Sequence, residues 1–312
     1  MSGRRVGPYR LGRRLGGGGS GDVYAVELPT WGEVALKRVP ARSEVTHARA
    51  LREARAVTSR RIPRVLDFGF DADEGAFYLV TDLVRGETLH QRLERLGSLD
   101  RAELSRIVDD LAEALGDLHR AGLVHRDVSP SNVIVVTDEH EVVTEAWLID
   151  LGLVRGDGDR PLTTTGAVAG TELYLAPERL AGADATPRSD LYALATLAHD
   201  ALAGLPDLDV APSALWRDLA EGGGRRPLPS SLPSGAVRAL VRGRATSPAL
   251  RPPDVATFAD ELALRRHPSR VRPLLVGGAQ VTAQSAAAVL ACVLAALVAA
   301  AVASAAVWLV AL

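Results

Sequence analysis

The feature that most constrains this chain is a short polar segment, His125-Arg126-Asp127-Val128-Ser129-Pro130-Ser131-Asn132, between two apolar runs. Leu123-Val124 precedes it and Val133-Ile134-Val135 follows it, so we expect a loop that leads into a strand. An aspartate in such a loop can accept a proton from a substrate hydroxyl. An asparagine five residues later can offer a neutral oxygen to Mg²⁺. Asp127 and Asn132 are therefore candidate site residues.

The composition of the chain draws attention to the same segment and to one other place. Asn132 is the only asparagine, and Lys37 is the only lysine among 36 lysines and arginines. Lys37 ends the apolar strand Val34-Ala35-Leu36-Lys37, and a buried ammonium is costly unless a carboxylate pairs with it. The predicted helix over Glu44–Ser59 offers Glu53 as that partner. The alternative is that Glu53 makes only surface pairs with neighbouring arginines.

Glycine dominates the segment Gly16-Gly17-Gly18-Gly19-Ser20-Gly21-Asp22-Val23, which lies between predicted strands over Tyr9–Leu15 and Val23–Leu28. Without side chains, such a loop can fold its backbone N–H groups tightly over phosphates. A flexible Gly/Ser linker is the alternative interpretation. A Rossmann turn is disfavoured, because no helical pattern begins after the third glycine of the motif.

Two further strands are predicted over Val65–Phe70 and Phe77–Val80, with a polar turn between them. The pattern then changes from strands to helices at residues 81–86. We place a hinge at this segment, between a part rich in strands and a part rich in helices.

A long amphipathic helix is predicted after Asp100, which with Glu103 fits a capping box, and Gly122 follows its expected end. Further along, the run Trp147–Gly152 has the pattern of a strand that ends in Asp-Leu-Gly. Asp150 at the end of this strand could hold a cation. An aspartate before a glycine is also common in an ordinary turn.

The sequence Ala176-Pro177-Glu178 begins 26 residues after Asp150, and a polar, glycine-rich segment with Thr163-Thr164-Thr165 lies between them. This composition is typical of a mobile surface segment. Arg251 is a candidate buried partner for Glu178, and the alternative is a solvated arginine.

Six motifs occur in a fixed order: the glycine-rich loop, V-A-L-K, the helix glutamate, H-R-D with its asparagine, D-L-G and A-P-E. Together they resemble those of the bacterial eukaryotic-like (Hanks-type) serine/threonine protein kinases over about residues 9–266. The resemblance implies an α+β, two-lobed protein kinase fold with a β-rich N-lobe and a helical C-lobe. It places the N-lobe at residues 1–84 and the C-lobe at residues 85–268, with ATP and Mg²⁺ in the cleft between them.

The resemblance also implies a role for each motif residue. Lys37 would contact the phosphates and pair with Glu53, Asp127 would be the catalytic base, and Asn132 and Asp150 would hold Mg²⁺. The other residues expected to bind the cofactor cover its phosphates or hold its adenine: Leu15, Gly16, Gly18, Gly21, Val23, Ala35, Asp82 and Leu83.

One residue departs from the family pattern. Ser129 stands where serine/threonine kinases usually carry a lysine beside the transferred phosphate. Its hydroxyl can still donate one hydrogen bond, so we expect slower but measurable catalysis. The rival interpretation is a pseudokinase scaffold with weak or no turnover. A small-molecule phosphotransferase of the aminoglycoside-kinase type is a third, and the A-P-E segment argues against it.

The C-terminal tail has no charged residue from Pro273 to Leu312, and Ala286–Leu312 is a run of 27 residues that are nearly all apolar. As a helix this run would measure roughly 40 Å, more than the roughly 30 Å hydrocarbon core of a bilayer. No charged residue follows this run, and four arginines precede it: Arg265, Arg266, Arg270 and Arg272. We therefore expect a single-pass cell-membrane protein with a cytoplasmic kinase domain and a linker at residues 269–285. The alternatives are a buried core helix and a disordered alanine-rich tail.

The partners expected from the sequence are protein substrates, the membrane and a second copy of the chain. Alanines recur every four residues from Ala287 to Ala303, a stripe that permits close packing of two helices. The net charge of −2 gives no electrostatic footprint for nucleic acid. Thr163 and Thr165 resemble activation-loop phosphorylation sites, and a phosphate there could pair with Arg126.

Overall fold

The computed structural model describes residues 4–18, 21–40, 55–150, 173–206 and 225–262. The chain divides into two compact units, Met1–Arg265 and Arg266–Leu312, and the second unit lies outside the described residues. Within the described ranges, no helix is long and apolar enough to cross a bilayer. The predicted span over residues 286–312 falls outside those ranges.

The N-terminal part of the described unit is built from antiparallel strands. They are β1 (Arg5–Val6), β2 (Tyr9–Arg10), β3 (Arg14–Gly18), β4 (Gly21–Leu28), β5 (Gly32–Pro40), β6 (Val65–Asp71) and β7 (Ala76–Asp82). Strands β1 and β2 form a small hairpin, and the others form one sheet in the order β3-β4-β5-β7-β6. Alternation along β5 buries Val34 and Leu36 in one apolar cluster with Leu66 and Val80.

The single strand predicted over Tyr9–Leu15 is wrong. Tyr9–Arg10 pairs with Arg5–Val6, and the chain enters β3 only at Arg14. The break contains Gly12, whose N–H donates to the carbonyl of Ala25 at 3.1 Å. A Cβ atom at Gly12 would lie 2.4 Å from that carbonyl oxygen, so the close approach of the two backbones requires glycine.

The C-terminal part is mainly helical. Its elements are β8 (Glu87–Thr88), α1 (Leu89–Leu96), α2 (Arg101–Arg120), β9 (Val133–Thr137), β10 (Val143–Leu148), α3 (Pro177–Leu180), α4 (Pro187–Ala203), α5 (Ser234–Gly243) and α6 (Val255–Leu262). Strands β10, β9 and β8 form a three-stranded sheet in that order. Helix α4 is the centre of this part, because nearly every residue from Ser189 to Leu202 is buried.

The predicted start and end of helix α2 are confirmed, although only half of the capping box forms. The side chain of Asp100 accepts hydrogen bonds from the N–H groups of Ala102 at 2.7 Å and Glu103 at 2.9 Å. The carboxylate of Glu103 instead bonds the buried guanidinium of Arg92. Gly122 follows the helix with φ of 76°, a left-handed conformation that favours glycine.

The helix predicted over residues 44–59 is described only from residue 55. Arg55 is helical, whereas residues 57–59 are not, so the helix ends earlier than predicted. The hydroxyl of Ser59 accepts a hydrogen bond from the N–H of Arg61 at 3.2 Å, a local turn that competes with helix. Glu53, the expected partner of Lys37, lies outside the described residues.

Candidate active site

A cavity of about 780 Å³ opens between the five-stranded sheet and the helical part. Most residues that the sequence predicts for the site lie on its wall: Leu15, Gly16, Gly21, Val23, Ala35, Lys37, Asp82, Leu83, Asp127, Asn132 and Asp150. Gly18 ends strand β3 directly opposite Gly21. The geometry therefore brings the glycine-rich hairpin, strand β5, the hinge and the H-R-D loop around one space.

Lys37 and Asp150 contact each other inside this cavity. Lys37 is paired with Val23 and Leu79 on the neighbouring strands. Its Nζ contacts both carboxylate oxygens of Asp150 and lies 2.5 Å from Oδ2. The lysine side chain is 12% exposed and the aspartate 15%. The predicted pairing of Lys37 with Glu53 is not tested, since Glu53 is outside the described residues.

Asp127 and Asn132 are held together by the short turn that ends the H-R-D loop. The amide nitrogen of Asn132 donates to the backbone carbonyl of Asp127 at 2.8 Å and to its Oδ2 at 3.0 Å. Since that nitrogen carries both protons of the amide, the oxygen of Asn132 is the atom suited to a cation. The turn Pro130–Asn132 thus sets the orientation of the carboxylate.

His125 connects this loop to the strand that carries Asp150. The N–H of Asp127 donates to Nδ1 of His125 at 3.3 Å, so this nitrogen is an acceptor. The ring proton then lies on Nε2, which donates to the carbonyl of Ile149 at 3.2 Å. The N–H of Ile149 in turn donates to the carbonyl of Asn132 at 2.9 Å. These bonds fix the two predicted Mg²⁺ ligands relative to each other.

Asp190, near the start of helix α4, holds the same loop in place by hydrogen bonds. Its carboxylate accepts hydrogen bonds from the N–H groups of His125 at 2.8 Å and Arg126 at 2.9 Å. Nε2 of His119 also lies 2.9 Å from its Oδ2. Asp190 was not among the residues predicted for the site. A signal was present, because a carboxylate at the head of a long apolar run needs partners if it is buried.

The comparisons with known proteins agree with this geometry. A family described as Protein kinase domain matches residues 9–214. The chain is 35% identical over 275 residues to serine/threonine-protein kinase PknH of Mycobacterium bovis, a match that covers 85% of this chain and 44% of the relative. It is 35% identical over 279 residues to serine/threonine-protein kinase PknD of Mycobacterium tuberculosis, with coverage of 85% and 40%.

A solved structure extends the similarity to three dimensions. The kinase domain of PknI from Mycobacterium tuberculosis superimposes with a TM-score of 0.60 at 30% identity. The match covers 84% of this chain and 97% of that domain. This chain belongs to the protein kinase family. It is a bacterial kinase of the Hanks type, and it spans less than half of the length of the curated relatives that it matches.

Two residues of the catalytic motifs have an unusual backbone conformation. Arg126 has φ of 71° and Asp150 has φ of 65°, values that residues other than glycine rarely adopt. Each residue belongs to a catalytic motif, H-R-D or D-L-G. Strained backbone tends to persist where the surrounding structure holds a functional group in place. Here the hydrogen bond from the N–H of Arg126 to Asp190 and the bond from His125 to the carbonyl of Ile149 supply that restraint.

The hinge of the kinase contributes both polar and apolar atoms to the cleft. The N–H of Asp82 donates to the carbonyl of Arg64 at 3.2 Å, so this N–H is already used within the protein. The guanidinium of Arg64 bonds both carboxylate oxygens of Asp82, at 2.8 and 2.9 Å, and lowers the pKa of that carboxyl. The backbone of Leu83, the next residue, remains the predicted contact for the edge of the adenine.

Several apolar residues of the cleft wall were not predicted from the sequence: Leu79, Val84, Ile134 and Ile149 among others. Ile134 is the clearest case. Its neighbours Val133 and Val135 are buried, so alternation along β9 turns Ile134 to the opposite face, toward the cleft. The strand pattern carried that signal, but the position of the cleft relative to β9 was not known from the sequence.

Ser129 is placed differently from the other predicted catalytic residues. It is only 2% exposed and is not among the residues that line the cleft. Its hydroxyl oxygen makes no hydrogen bond within the described part of the chain. The role predicted for this hydroxyl in catalysis stays a prediction.

The pairing predicted for the A-P-E motif is confirmed. Nη1 and Nη2 of Arg251 donate to the two carboxylate oxygens of Glu178, each at 2.7 Å. Arg251 is 1% exposed, and its guanidinium also lies 4.9 Å from the ring centre of Tyr192. The threonines of the preceding segment, Thr163 and Thr165, lie outside the described residues.

Proposed function

We propose that this kinase transfers a phosphoryl group from Mg·ATP to serine or threonine hydroxyls of proteins. The observation that carries the proposal is the meeting of Lys37, Asp127, Asn132 and Asp150 around one cavity of about 780 Å³. These four residues come from three separate motifs. Their side chains supply the cation, the base and the oxygen ligands that phosphoryl transfer requires.

The residues present fit Mg·ATP. Lys37 offers an ammonium for phosphate oxygens, and Asp150 with Asn132 offers oxygen ligands for Mg²⁺. Proteins usually hold Mg²⁺ with one or two carboxylates together with the substrate phosphates, which matches this small set. When bound, Mg·ATP supplies the phosphoryl group and neutralises the charge that develops during its transfer. Leu15, Val23 and Ala35 provide apolar wall for the adenine.

The chain's own residues perform the proton transfer and the positioning. Asp127 accepts the proton of the acceptor hydroxyl. Asn132 orients the Asp127 carboxylate through its amide nitrogen, at 3.0 Å from Oδ2. Asp190 and His125 hold the loop from which Asp127 projects. Lys37 neutralises phosphate charge in a site where the protein excludes much of the water, which strengthens the interaction.

A pseudokinase scaffold remains the alternative, because Ser129 places no charge in the cleft. We favour an active enzyme, since the base, the lysine and both metal ligands are present and oriented. The test is incubation of the purified full-length chain with labelled Mg·ATP and myelin basic protein, followed by mapping of the phosphorylated residues. Label on serine or threonine supports the kinase. A chain that binds Mg·ATP and transfers no label supports the scaffold.

We further propose that residues 286–312 anchor the kinase in the cell membrane, with the kinase domain in the cytoplasm. The support is the uncharged run of 27 residues preceded by a cluster of arginines. Membrane fractions from cells that express the full-length chain test the proposal. Protein that resists extraction by carbonate supports a spanning helix, and protein that washes off contradicts it. Crosslinking of the same fractions tests whether the alanine stripe brings two copies together.

Autophosphorylation at Thr163 or Thr165 is also proposed. The support is a cluster of threonines between the D-L-G and A-P-E motifs, and Arg126 as a cationic partner for a phosphate. Mass spectrometry of the enzyme after incubation with Mg·ATP tests it. An active enzyme with neither threonine modified would remove this regulation and leave the kinase activity in place.

A further inference from the structure

A second group of buried charges lies outside the nucleotide cleft, around Asp200 of helix α4. Nη1 of Arg225 contacts Oδ2 of Asp200, and the two side chains are only 3% and 1% exposed. Nη2 of the same arginine donates to the backbone carbonyl of Leu173 at 2.7 Å. Its guanidinium also lies 5.6 Å from the ring centre of Tyr174. One side chain therefore joins the central helix to the two residues that lead into Leu175-Ala176-Pro177-Glu178.

The segment that Arg225 holds faces the catalytic loop. Tyr174, Leu175 and Ala176 border a small cavity of about 20 Å³ whose other wall includes Arg126, Asp127 and Val128. A protein acceptor that brings a hydroxyl to Asp127 must pass beside this segment. A displacement of residues 173–176 would change the surface next to the base without any change in the nucleotide cleft.

Two buried arginines fix this segment at its two ends. Arg251 binds Glu178 at the far end, and Arg225 binds Leu173 at the near end. Between them, Tyr174 is 6% exposed, and burial together with the nearby Asp200 carboxylate raises the pKa of its hydroxyl well above its usual value. Arg225 is not among the residues that line the nucleotide cleft.

The chemistry of the contact requires arginine. A guanidinium presents a rigid fork of donors, so one group can bind a carboxylate and a carbonyl at the same time. A lysine ammonium at the same place could keep the charge but not this fixed geometry. Buried ion pairs often add little stability relative to well-packed apolar residues, so stability alone gives little reason for this pair.

We infer that Arg225 is a positioning residue for the protein acceptor. It holds Leu173 and Tyr174 in the place from which the acceptor is presented to Asp127, and it does not act on the nucleotide. The inference rests on the proposed phosphotransfer function. It assigns a separate step of that function, acceptor positioning, to a residue that does not line the nucleotide cleft.

The test uses the full-length chain in mild detergent, Mg·ATP and myelin basic protein as acceptor. Arg225→Met should lower kcat/KM for the acceptor by roughly 10- to 100-fold, the range expected when a reacting group is misplaced by about 1 Å. The Kd for Mg·ATP and the slow hydrolysis of ATP without acceptor should stay unchanged. Arg225→Lys should recover part of the loss. Arg242→Met is the matched control, since Arg242 is 46% exposed and pairs with Glu261 on the surface.

A folding defect is controlled by a double variant. Arg225→Met leaves the Asp200 carboxylate buried and unpaired, whereas Arg225→Met with Asp200→Leu replaces the whole pair by apolar side chains. The double variant should fold, bind Mg·ATP and hydrolyse it at the wild-type rate, yet show the same loss toward the acceptor.

Any of four results would overturn the inference. Wild-type kcat/KM for the acceptor in the folded double variant would contradict it directly. An equal fall in acceptor phosphorylation and ATP hydrolysis would show a general structural effect. A wild-type chain that binds Mg·ATP and never phosphorylates the acceptor would overturn the proposed function, and the inference with it. If the wild-type chain phosphorylates the acceptor and the Arg225 variants do so equally well, the inference is overturned and the proposed function stands.

Discussion

Lys37 and Asp150 are 113 positions apart in the chain, yet Nζ of the lysine lies 2.5 Å from Oδ2 of the aspartate inside the cleft. Their charges neutralise each other where the proposed function needs a cation for phosphate and a carboxylate for Mg²⁺. Mg·ATP would compete for both side chains, since Lys37 would hold its phosphates and Asp150 its Mg²⁺. The pair shows that strand β5 and the D-L-G motif converge on one point of the active site.

Replacement of Lys37 tests the phosphate-binding role. Lys37→Met should lower kcat at least about 100-fold, because one well-placed electrostatic group is commonly worth 10² to 10³ in rate. No other lysine can substitute, since the chain has only one. Arg38→Met is a suitable control, because Arg38 is the adjacent strand residue and pairs with Glu74 at 3.1 Å. Wild-type turnover in folded Lys37→Met would show that the assignment is wrong.

Substitutions of Ser129, the residue that departs from the family pattern, should change the rate of phosphotransfer only slightly. Its hydroxyl makes no hydrogen bond within the described residues, so Ser129→Ala should change the initial rate of phosphotransfer by no more than a few-fold. Ser129→Lys should be tolerated or mildly activating, because the long lysine side chain can carry its ammonium from the buried position of Ser129 toward the transferred phosphate. Initial rates at saturating Mg·ATP check both variants. A large loss in Ser129→Ala would mean that the hydroxyl participates in the reaction.

Arg251 should matter for stability. Arg251→Met removes one partner of a buried ion pair and leaves Glu178 without compensation, which typically costs about 3–5 kcal/mol of unfolding free energy. The side chain of Arg251 is 0% exposed in this pair and also donates to the carbonyls of Ala245 and Arg188. Urea unfolding measures the change. Arg242→Met, at a surface pair, should cost less than about 1 kcal/mol. Equal stabilities of the two variants would contradict the prediction.

His199 should make the stability of the kinase depend on pH. Nη1 of Arg244 donates to Nδ1 of the ring at 2.8 Å, and Nε2–H donates to the carbonyl of Arg226 at 3.0 Å. Only the bond from Arg244 needs the neutral ring, because a protonated ring keeps its donor at Nε2 and loses its acceptor at Nδ1. Burial lowers the pKa of His199 below 6.5, as do the charges of Arg244 and Arg225, while Asp200 and the Arg226 carbonyl oppose the shift.

The sign of the effect follows from proton binding. Below pH 6.5 the histidine of the unfolded chain binds a proton, whereas buried His199 of the folded chain stays neutral. The contribution of His199 to the free energy of unfolding is therefore fully present above pH 6.5 and decreases as the pH drops below it. Thermal unfolding of wild type and His199→Gln at pH 7.5 and 5.5 measures this. The variant should lose less Tm between the two conditions. Identical losses would assign the pH dependence to other groups.

The polar residues of the site were predictable because each belongs to a short motif with its own chemistry. Lys37, Asp127, Asn132 and Asp150 all line one cavity, while their catalytic roles stay predictions. Asp190 was not assigned, because its partners are 64 to 71 positions away and only the fold brings them together. Such long-range contacts leave no local pattern in the sequence.

Local predictions failed where tertiary contacts competed with local preference. Glu103 was expected to complete a capping box, but the buried Arg92 takes its carboxylate. The strand predicted at Tyr9 is interrupted because Gly12 contacts the backbone of Ala25. Helix α1 was missed, although Thr88 and Gln91 form its capping box. In the first two cases the sequence held the residue types and a distant partner decided the outcome, whereas the signal for helix α1 was local and was overlooked.

The most direct test of the account compares wild type with Asp127→Asn. The variant keeps the size of the side chain and can still accept the bond from Asn132, but it cannot take the proton of an acceptor hydroxyl. Initial rates of label transfer from Mg·ATP to myelin basic protein should fall about 100-fold or more, within the range of general base catalysis. The Kd for Mg·ATP and the Tm should match those of wild type. Label transfer by folded Asp127→Asn at the wild-type rate would contradict the assignment of Asp127 as the base.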